Sequence, residues 1–384
     1  MYEPAEDSYL LQKYVRMLAK GSVLDVGTGS GIQAETAAEK GCRVVAVDSD
    51  VSAIKKLKNT FNEKKSRNKH SVKNNSLKNN GKPMRNIAFI ESNLFSNIRN
   101  KFDTIIFNPP YLPSDQKNPD PALDGGKKGY EVLETFLSQA SHYLKSDGII
   151  LIVFSSLSNK GKVDEIIKAN LLDVTELDAK KIAFETLYCY KIEKSPLLKE
   201  LEAKGLRNIN FLAKGHRSIV YEATQNKKNV AIKVAKQDPN IANRIAIESS
   251  FLKILNKHSI GPKLINSTSN YDTMQFIEGT PLGKIKNPSK EILSGILDQC
   301  YTLDKLKIGK EEFTRPTKHV IVRNSKPVLI DFERCHYTES PKNVTQFCQY
   351  LSRKLHNKEF LKAAQRFKST YTKEAYAAIR TLLE

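Results

Sequence analysis

Short apolar runs separated by amphipathic stretches make up the first half of the chain. Apolar runs of this length are typical of strands buried in a parallel sheet, whereas apolar residues spaced three and four apart indicate helices packed on it. The predicted strands are 23–26, 43–47, 87–91, 104–106, 149–154, 172–177 and 187–192, and the predicted helices are 8–18, 32–40 and 130–144. Alternating strands and helices predict an α/β fold, and the last two strands predict a closing hairpin.

A second domain is predicted to begin at Ser195. Ser195 followed by Pro196 has the form of a helix N-cap with a first-turn proline, and the short helix that follows ends at Gly205. Later elements are two strands within 211–221, a strand at 230–234, a helix at about 240–257 and a strand ending at 330. Because 384 residues are too many for one ordinary domain, we predict domains at 1–194 and 195–384.

Composition narrows the class of protein. Hydrophobic residues make up 40% of the chain, which is enough for real cores, and no apolar stretch approaches the roughly 18 residues of a membrane span. Without a signal peptide, the chain is expected to be soluble and cytoplasmic. The five cysteines contain no C-x-x-C pair, so we expect reduced structural thiols and no zinc site.

The formal net charge of +20 permits an acidic partner such as RNA or the ribosome. Much of the excess lies in a Lys/Asn-rich tract between Lys55 and Arg85. Since this tract has few apolar residues to bury, its middle, from about Glu63 to Met84, is interpreted as a flexible, solvated insertion. Contact with nucleic acid through the tract is the alternative.

A glycine-rich turn follows the first strand. Gly27, Gly29 and Gly31 let the backbone approach a ligand closely, and Asp25 adds a carboxylate. The second strand ends at Asp48, which is placed to accept both hydroxyls of a ribose. A dinucleotide site requires G-x-G-x-x-G aimed at a pyrophosphate. This G-x-G-x-G turn preceded by an acid instead favours S-adenosylmethionine, which has a cationic tail and no phosphate.

Four residues, Asn108, Pro109, Pro110 and Tyr111, end the apolar run at 104–106. Proline cannot continue a strand, and ligands of open α/β sheets bind at such strand ends. The side-chain carbonyl of Asn108 and the carbonyl of Pro109 can accept the two N–H bonds of a planar NH2 group, while Tyr111 supplies a flat face. Held so, the nitrogen lone pair faces an electrophile, and positioning supplies the catalysis without a general base. An ordinary strand-to-loop exit is the alternative.

The polar loop 112–129 follows these residues and contains Asp115, Asp120 and Asp124. A loop of that length at a strand exit is typical of a substrate lid. The other interpretation is a solvated connection.

Residues 1 to about 193 resemble the class I methyltransferases of the HemK type, in the short branch without a helical N-terminal domain. The resemblance depends on four segments: 2–7, Tyr-Glu-Pro-Ala-Glu-Asp; 25–31, the glycine turn; 108–111, Asn-Pro-Pro-Tyr; and 184–188, Phe-Glu-Thr-Leu-Tyr. It implies a seven-stranded Rossmann-like sheet and methylation of a glutamine side-chain amide in a class-1 translation release factor. A small zinc-binding activator subunit often accompanies the family.

The resemblance also implies which residues bind the cofactor. The residues so assigned are Glu6, Asp25, Gly27, Gly29, Gly31, Asp48, Asn93 and Leu94. The family usually carries Asp where this chain has Asn93. Because Asn can still accept from the adenine amino group, weaker cofactor binding is expected and not its loss.

The motif at Asn108 cannot distinguish glutamine from adenine, since the adenine amino group is also a planar NH2. A nucleic-acid adenine-N6 methyltransferase is therefore the rival function. Against it, the sequence shows no recognisable base-flipping or DNA-reading domain.

A lysine inside an apolar strand marks the second half. Lys233 interrupts the run 230–234, where a lysine either reaches water at an edge or holds the phosphates of ATP. Glu248 on the next predicted helix is its candidate ion-pair partner. Asp331 ends a buried strand, where it can ligate Mg²⁺.

Two further segments fit a nucleotide site. Gly215 lies in a small-residue turn between two strands, and 274–279 has the form of a hinge whose backbone, at Gln275 and Ile277, can pair with adenine. In this order the motifs from Asn208 to about Leu355 resemble atypical protein kinases of the RIO type, and more closely predicted archaeal serine/threonine kinases with Asp-Phe-Glu. The resemblance implies an α+β kinase-like domain that uses ATP and Mg²⁺.

Catalytic competence of this domain depends on the segment 310–322. Glu312 is the candidate for the base, and Lys318 or His319 stands near the position of the second metal ligand, usually Asn. We assign Asp331 and His319 as metal ligands and Asp331 and Glu312 as catalytic. The alternative is a non-catalytic ATP-binding module that regulates the methyltransferase.

Overall fold

The computed structural model describes residues 3–71, 87–114, 120, 122–215, 217–236 and 242–383. The chain forms two compact units, Met1–Gly205 and Leu206–Glu384, and each is described by itself. No helix within these described ranges is both long and apolar enough to cross a membrane.

The first unit is built on one seven-stranded sheet. Its strands are β1 Ser22–Val26, β2 Arg43–Asp48, β3 Ile87–Glu91, β4 Phe102–Phe107, β5 Leu144–Ser155, β6 Leu172–Ile182 and β7 Glu185–Lys194. Its helices are α1 Glu6–Leu18, α2 Ile32–Glu39, α3 Val51–Ser71, α4 Glu131–Tyr143, α5 Lys160–Ala169 and α6 Pro196–Ala203. The seven-stranded α/β prediction is confirmed.

The strand order β3-β2-β1-β4-β5-β7-β6 determines where a ligand can bind. The first five strands run parallel, and β7 is antiparallel to both neighbours. Because the order reverses direction between β1 and β4, the loops after these strands separate at that point and leave a crevice. Val26 at the end of β1 is paired with Phe107 at the end of β4, so the glycine turn and Asn108 leave the sheet side by side.

A continuous apolar core lies between the sheet and α1 and α2. Val23, Ile106 and Leu151 of the strands are fully buried against Leu11 and Val15 of α1. Complete burial of a side chain of this size contributes roughly 1.5 to 3 kcal/mol. This core holds the ends of β1 and β4 in register, and therefore holds the crevice.

The predicted flexible insertion at 63–84 is wrong for its first part. Helix α3 continues through that part to Ser71. Leu57 and Phe61 are buried one turn apart and anchor α3, and the Lys and Glu residues that follow have high helix propensity, so the helix extends into the polar tract. Residues 72–84 lie outside the described residues.

Helix α6 belongs to the first unit, which therefore ends later than the predicted domain boundary at 194. The helix begins as expected, with the side chain of Ser195 accepting from the Leu198 amide. Lys194 is buried, and its Nζ donates to Glu202 of α6 at 2.6 Å. A buried charge is tolerated only with a partner, so this pair attaches α6 to β7.

The second unit combines an antiparallel sheet with a helical part. Its strands are β8 Arg207–Lys214, β9 Ser218–Gln225, β10 Lys228–Ala235, β11 Leu264–Ser267, β12 Tyr271–Gln275, β13 Thr280–Pro281, β14 Ile308–Gly309, β15 Val320–Arg323, β16 Lys326–Leu329 and β17 His336–Tyr337. Its helices are α7 Ala242–Leu255, α8 Lys290–Lys305, α9 Asn343–Leu355, α10 Glu359–Thr370 and α11 Lys373–Thr381. Strands β11-β12-β10-β9-β8 form the main sheet. The α+β prediction is confirmed.

Candidate functional site

A cavity of about 430 Å³ opens where β1 and β4 leave the sheet of the first unit. Its walls include the glycine turn, Asp48, Asn93, Leu94 and the segment 107–111. Residues far apart in sequence therefore meet in one place, as expected for the switch point of a parallel sheet.

Two glycines form the turn that lines this cavity. Gly27 and Gly29 have φ angles of +59° and +49°, in the left-handed region that favours glycine. A Cβ on Gly27 would lie 3.4 Å from the ring of Phe107, an ordinary contact distance, so the positive φ and not a lack of space favours glycine here. Gly31 has a different role, as the N-cap of α2. A Cβ there would lie 2.9 Å from Leu57, and Gly31 does not line the cavity.

Asp25 holds the turn together from beneath. Its Oδ2 accepts from the Thr28 hydroxyl at 2.7 Å and from the Ala34 amide at 3.1 Å. Burial raises the pKa of Asp25 to about 7, although these hydrogen bonds favour the charged form. Asp25 therefore lies in the cavity wall as predicted and also stabilises the start of α2.

Replacing Asp25 by Asn is expected to change how stability depends on pH. The folded protein keeps a proton on Asp25 up to about pH 7, whereas an unfolded chain loses it at about pH 4, so the free energy of unfolding falls as pH rises through that window. Each unit of pKa corresponds to about 1.4 kcal/mol. Urea unfolding at several pH values should show that Asp25→Asn lacks this fall, while the exposed control Asp173→Asn keeps it. Parallel curves for Asp25→Asn and the unchanged protein would contradict the prediction.

Asp48 faces the glycine turn. Its Oδ2 accepts from the Gly29 amide and its Oδ1 from the Asp50 amide, both at 2.9 Å. Each carboxylate oxygen retains a further lone pair for a hydroxyl group. The predicted role of Asp48 as a ribose acceptor is compatible with this geometry.

Asn93 and Leu94 also line the cavity. Leu94 adopts a left-handed φ of +49°, and the Asn93 amide donates to Ser96 Oγ at 3.1 Å. This tight turn presents the exposed Asn93 side chain beside the cavity.

Asp7 is a site residue that sequence reasoning did not single out. Glu6, which was assigned to the cofactor, is exposed at the start of α1 and does not line the cavity. The next residue, Asp7, is buried, and its Oδ2 accepts from Asn108 Nδ2 at 3.0 Å and from the Tyr111 hydroxyl at 3.3 Å. The Glu-Asp pair in the segment 2–7 was the available signal, but only the packing of α1 shows which acid faces inward.

These contacts determine the orientation of the Asn108 amide. A carboxylate accepts and cannot donate, so the NH2 of Asn108 must face Asp7 and Oδ1 must face away. Oδ1 is buried, and no described residue is hydrogen-bonded to it. Such a group is costly unless a further partner binds, so it marks a point where a donor is accommodated.

The backbone of this segment is held from its other side. Ser158 Oγ donates to the carbonyl of Tyr111 at 2.7 Å. In the loop expected to be a lid, the Gly125 amide donates to the Leu112 carbonyl at 2.8 Å, and Asp120 and Leu123 line the cavity. The described part of the loop is therefore a wall of the site, and Asp115 lies outside the described residues.

Lys233 is the centre of a buried charge cluster in the second unit. Its Nζ is 2.5 Å from Glu248, 3.0 Å from Asp331 and 3.4 Å from Glu333. Burial opposes the charge, but Glu248 and Asp331 outweigh it and raise the pKa of Lys233. Burial likewise opposes the charge of Asp331, yet Lys233 and Lys310 lower its pKa. The three residues expected at a nucleotide site are thus brought together.

A second group lies beside Asp331. Glu312 Oε2 is 2.9 Å from the fully buried Lys310 Nζ and 3.2 Å from His319 Nδ1. Lys310 also donates to the backbone carbonyl of Asp331, whose φ is +65°. Sequence reasoning did not single out Lys310, because a lysine followed by two glutamates carries no signal of burial.

The expected hinge is only partly available. The Gln275 amide already donates to the Lys263 carbonyl at 2.8 Å, so it is committed within the sheet. Pairing of the backbone at Gln275 and Ile277 with adenine stays a prediction, in which the amide of Gln275 is already in use. Gly215 donates to the Ser218 carbonyl at 2.8 Å and closes the turn between β8 and β9.

The most specific matches to known proteins lie in the first half of the chain. The family model "Methyltransferase small domain" matches residues 6–184. A putative protein N5-glutamine methyltransferase of Methanocaldococcus jannaschii is 38% identical over 195 residues, which are 49% of this chain and 88% of the relative. The eRF1 methyltransferase catalytic subunit of Schizosaccharomyces pombe is 25% identical over 209 residues, which are 50% of this chain and 88% of the relative. The structural match to the solved bifunctional kinase-methyltransferase WbdD covers 98% of this chain and 87% of the WbdD chain, with 12% sequence identity and a TM-score of 0.42.

Proposed function

The first half of this chain belongs to the methyltransferase small domain family, in its HemK-type branch, and on that premise we propose that it methylates the side-chain amide of a glutamine in a translation release factor. Family membership makes the first unit an S-adenosylmethionine-dependent methyltransferase. The acceptor amide, the release factor and the individual residue roles are the proposal.

The cavity fits the cofactor. S-adenosylmethionine, when bound, supplies a methyl group on a cationic sulfonium. Asp48 has lone pairs for two hydroxyl groups, and the left-handed Gly27 and Gly29 leave their backbone uncovered by side chains. Asn93 at the rim can accept from an adenine amino group.

The orphaned Oδ1 of Asn108 is the observation that carries the proposal. A glutamine amide offers two N–H groups in one plane. One can donate to Asn108 Oδ1 and the other to the carbonyl of Pro109, whose position is fixed by the adjoining Pro110. Tyr111 can then pack against the amide plane.

Binding in this way changes the reactivity of the amide nitrogen. Its lone pair is normally delocalised into the C=O group, and two in-plane acceptors hold the nitrogen with its lone pair towards the donor carbon. S-adenosylmethionine would supply the methyl group that this nitrogen takes up, and the nitrogen would then give one of its two protons to water. Positioning therefore supplies most of the rate.

Relatives support the choice of substrate. The M. jannaschii relative is described as a putative protein N5-glutamine methyltransferase, and the S. pombe relative as acting on eRF1. A release factor incubated with labelled S-adenosylmethionine should take up label, and a substrate with the glutamine of its Gly-Gly-Gln loop replaced should not. Label in DNA or RNA under the same conditions would instead establish the adenine-N6 rival.

A partner subunit is part of the same proposal. The S. pombe relative is described as a catalytic subunit. We infer that this chain, too, works with a small activator protein. Co-expression with a candidate activator should raise methylation of the release factor, and an equal rate without it would remove this part of the proposal.

Replacing Asp7 by Asn is expected to lower kcat for methylation about 10-fold while leaving cofactor affinity nearly unchanged. The substituted amide would present its NH2 group either to Asn108 or to the Ser8 amide, which donates to Asp7 Oδ1 at 2.6 Å. Asn108 would then lose its unique orientation. Steady-state kinetics and calorimetry with S-adenosylhomocysteine measure the two quantities.

Glu6→Gln is the matched control for that experiment, because Glu6 is adjacent in sequence but exposed. It should retain the kcat of the unchanged protein. If Glu6→Gln were the more damaging change, the assignment of Asp7 would be wrong.

For the second unit we propose ATP-dependent phosphorylation of serine or threonine. The buried cluster of Lys233, Glu248 and Asp331 supports it, since phosphoryl transfer needs a cation on the phosphates and a carboxylate for Mg²⁺. A regulatory ATP-binding module is the second candidate, because His319 stands where Asn is usual.

A further inference from the structure

Glu312, His319 and Asp331 each offer one potential ligand atom in the same small region of the second unit. The three atoms lie within 4.8 Å of one another. His319 Nδ1 is 3.2 Å from Glu312 Oε2 and 3.7 Å from Asp331 Oδ2. Although this nitrogen is buried, none of the described residues is hydrogen-bonded to it.

We propose that these three side chains bind a divalent first-row transition cation in preference to Mg²⁺, and that Glu312 is a ligand of this cation and not the general base. Ligand atoms about 2.1 Å from one metal ion, at tetrahedral or octahedral angles, are about 3.0 to 3.4 Å apart. The separation of 3.2 Å falls in that range, and the separation of 3.7 Å exceeds it by only a few tenths of an ångström.

The donor atoms decide which cation is favoured. Mg²⁺ prefers oxygen ligands and retains water, whereas an imidazole nitrogen favours later transition metals. One imidazole and two carboxylates suit Mn²⁺ and its neighbours better than Mg²⁺.

Nearby lysines orient the carboxylates without blocking them. Lys233 donates to Asp331 Oδ1 at 3.0 Å, which leaves Oδ2, the oxygen nearer His319, for the cation. Lys310 donates to Glu312 Oε2 at 2.9 Å, and a carboxylate has about four lone-pair sites. Such outer contacts commonly fix ligand orientation.

The inference deepens the proposed kinase function, on which its biological use rests, but the cation site is defined without nucleotide. Electron paramagnetic resonance of free Mn²⁺, titrated with the full chain, should show one bound ion per chain. A tenfold excess of Mg²⁺ should displace less than half of it. His319→Asn and Glu312→Gln should each weaken Mn²⁺ binding on the order of 10-fold or more.

His336→Asn is the matched control, since His336 is exposed beside Glu311 and outside the group of three. It should bind Mn²⁺ like the unchanged protein, and circular dichroism should show all variants folded. Unchanged Mn²⁺ affinity in Glu312→Gln, equal competition by Mg²⁺, or no bound Mn²⁺ would each overturn the inference. If His319→Asn and Glu312→Gln both lose Mn²⁺ binding and the unchanged protein transfers no phosphate from ATP, the cation site is upheld and the kinase proposal is rejected.

Discussion

Replacing Asn108 by Ala is expected to lower methyl transfer to the release factor by about 100-fold or more, with little loss of cofactor affinity. Asn108 Oδ1 is buried and has no hydrogen-bond partner among the described residues, so in the proposed binding mode its contact is made chiefly with the reacting amide. A contact that acts mainly in the transition state lowers kcat when it is removed. Single-turnover methylation with labelled cofactor, together with calorimetry, measures both quantities.

Asn108→Asp is an informative second variant. It keeps the shape but places a carboxylate opposite the Asp7 carboxylate, where Asn108 now donates at 3.0 Å. Repulsion between two carboxylates should turn the side chain or protonate one of them, and activity should fall at neutral pH. The control Asn97→Ala removes an exposed amide that donates to the Glu91 carbonyl and should be fully active. Full activity in Asn108→Ala would defeat the assignment.

Replacing Asp331 by Asn is expected to reduce phosphate transfer from ATP by about 100-fold or more. The change keeps the side-chain shape, and Asn tolerates the left-handed φ of +65° that Ala would adopt with strain. It removes the negative charge that faces the metal, and a metal ion contributes several kcal/mol of charge stabilisation, with about 1.4 kcal/mol for each factor of ten. Transfer of labelled phosphate to protein in the presence of Mg²⁺ or Mn²⁺ measures the effect.

Glu339→Gln is the control for that experiment. Glu339 is an exposed carboxylate paired with Lys307 on the surface of the same unit, and its loss should leave transfer unchanged. If the unchanged protein binds ATP but transfers no phosphate, the regulatory alternative replaces the kinase proposal. Equal transfer by Asp331→Asn would show that another group holds the metal.

Much of the first unit could be predicted from local patterns. Apolar runs located every strand of its sheet, and the spacing of buried residues located α1 and α2, because the side-chain periods of strands and helices differ. The ends of the helices were predicted less accurately than their positions. The extension of α3 into a lysine-rich tract was missed, since the composition of a segment does not show that a helix anchored upstream continues through it.

Some residues of the candidate sites were predicted from the sequence, and others were not. Asp25, Asp48 and Asn108 were identified because each lies at the end of an apolar strand, and strand ends are where a parallel sheet binds ligands. Asp7 and Lys310 were not singled out. Their importance depends on burial beside partners distant in sequence, which no local pattern records.

The chemistry available to this protein was determined by its sequence: an acid before a glycine turn, an amide before two prolines, and a lysine within an apolar strand. The tertiary structure alone decided which of these groups face one another. It turned the NH2 of Asn108 towards Asp7, left Oδ1 without a described partner, and brought His319 within 3.2 Å of Glu312. The physical reason is that hydrogen bonding and charge act over a few ångströms in space, and chain folding, not sequence separation, sets those distances.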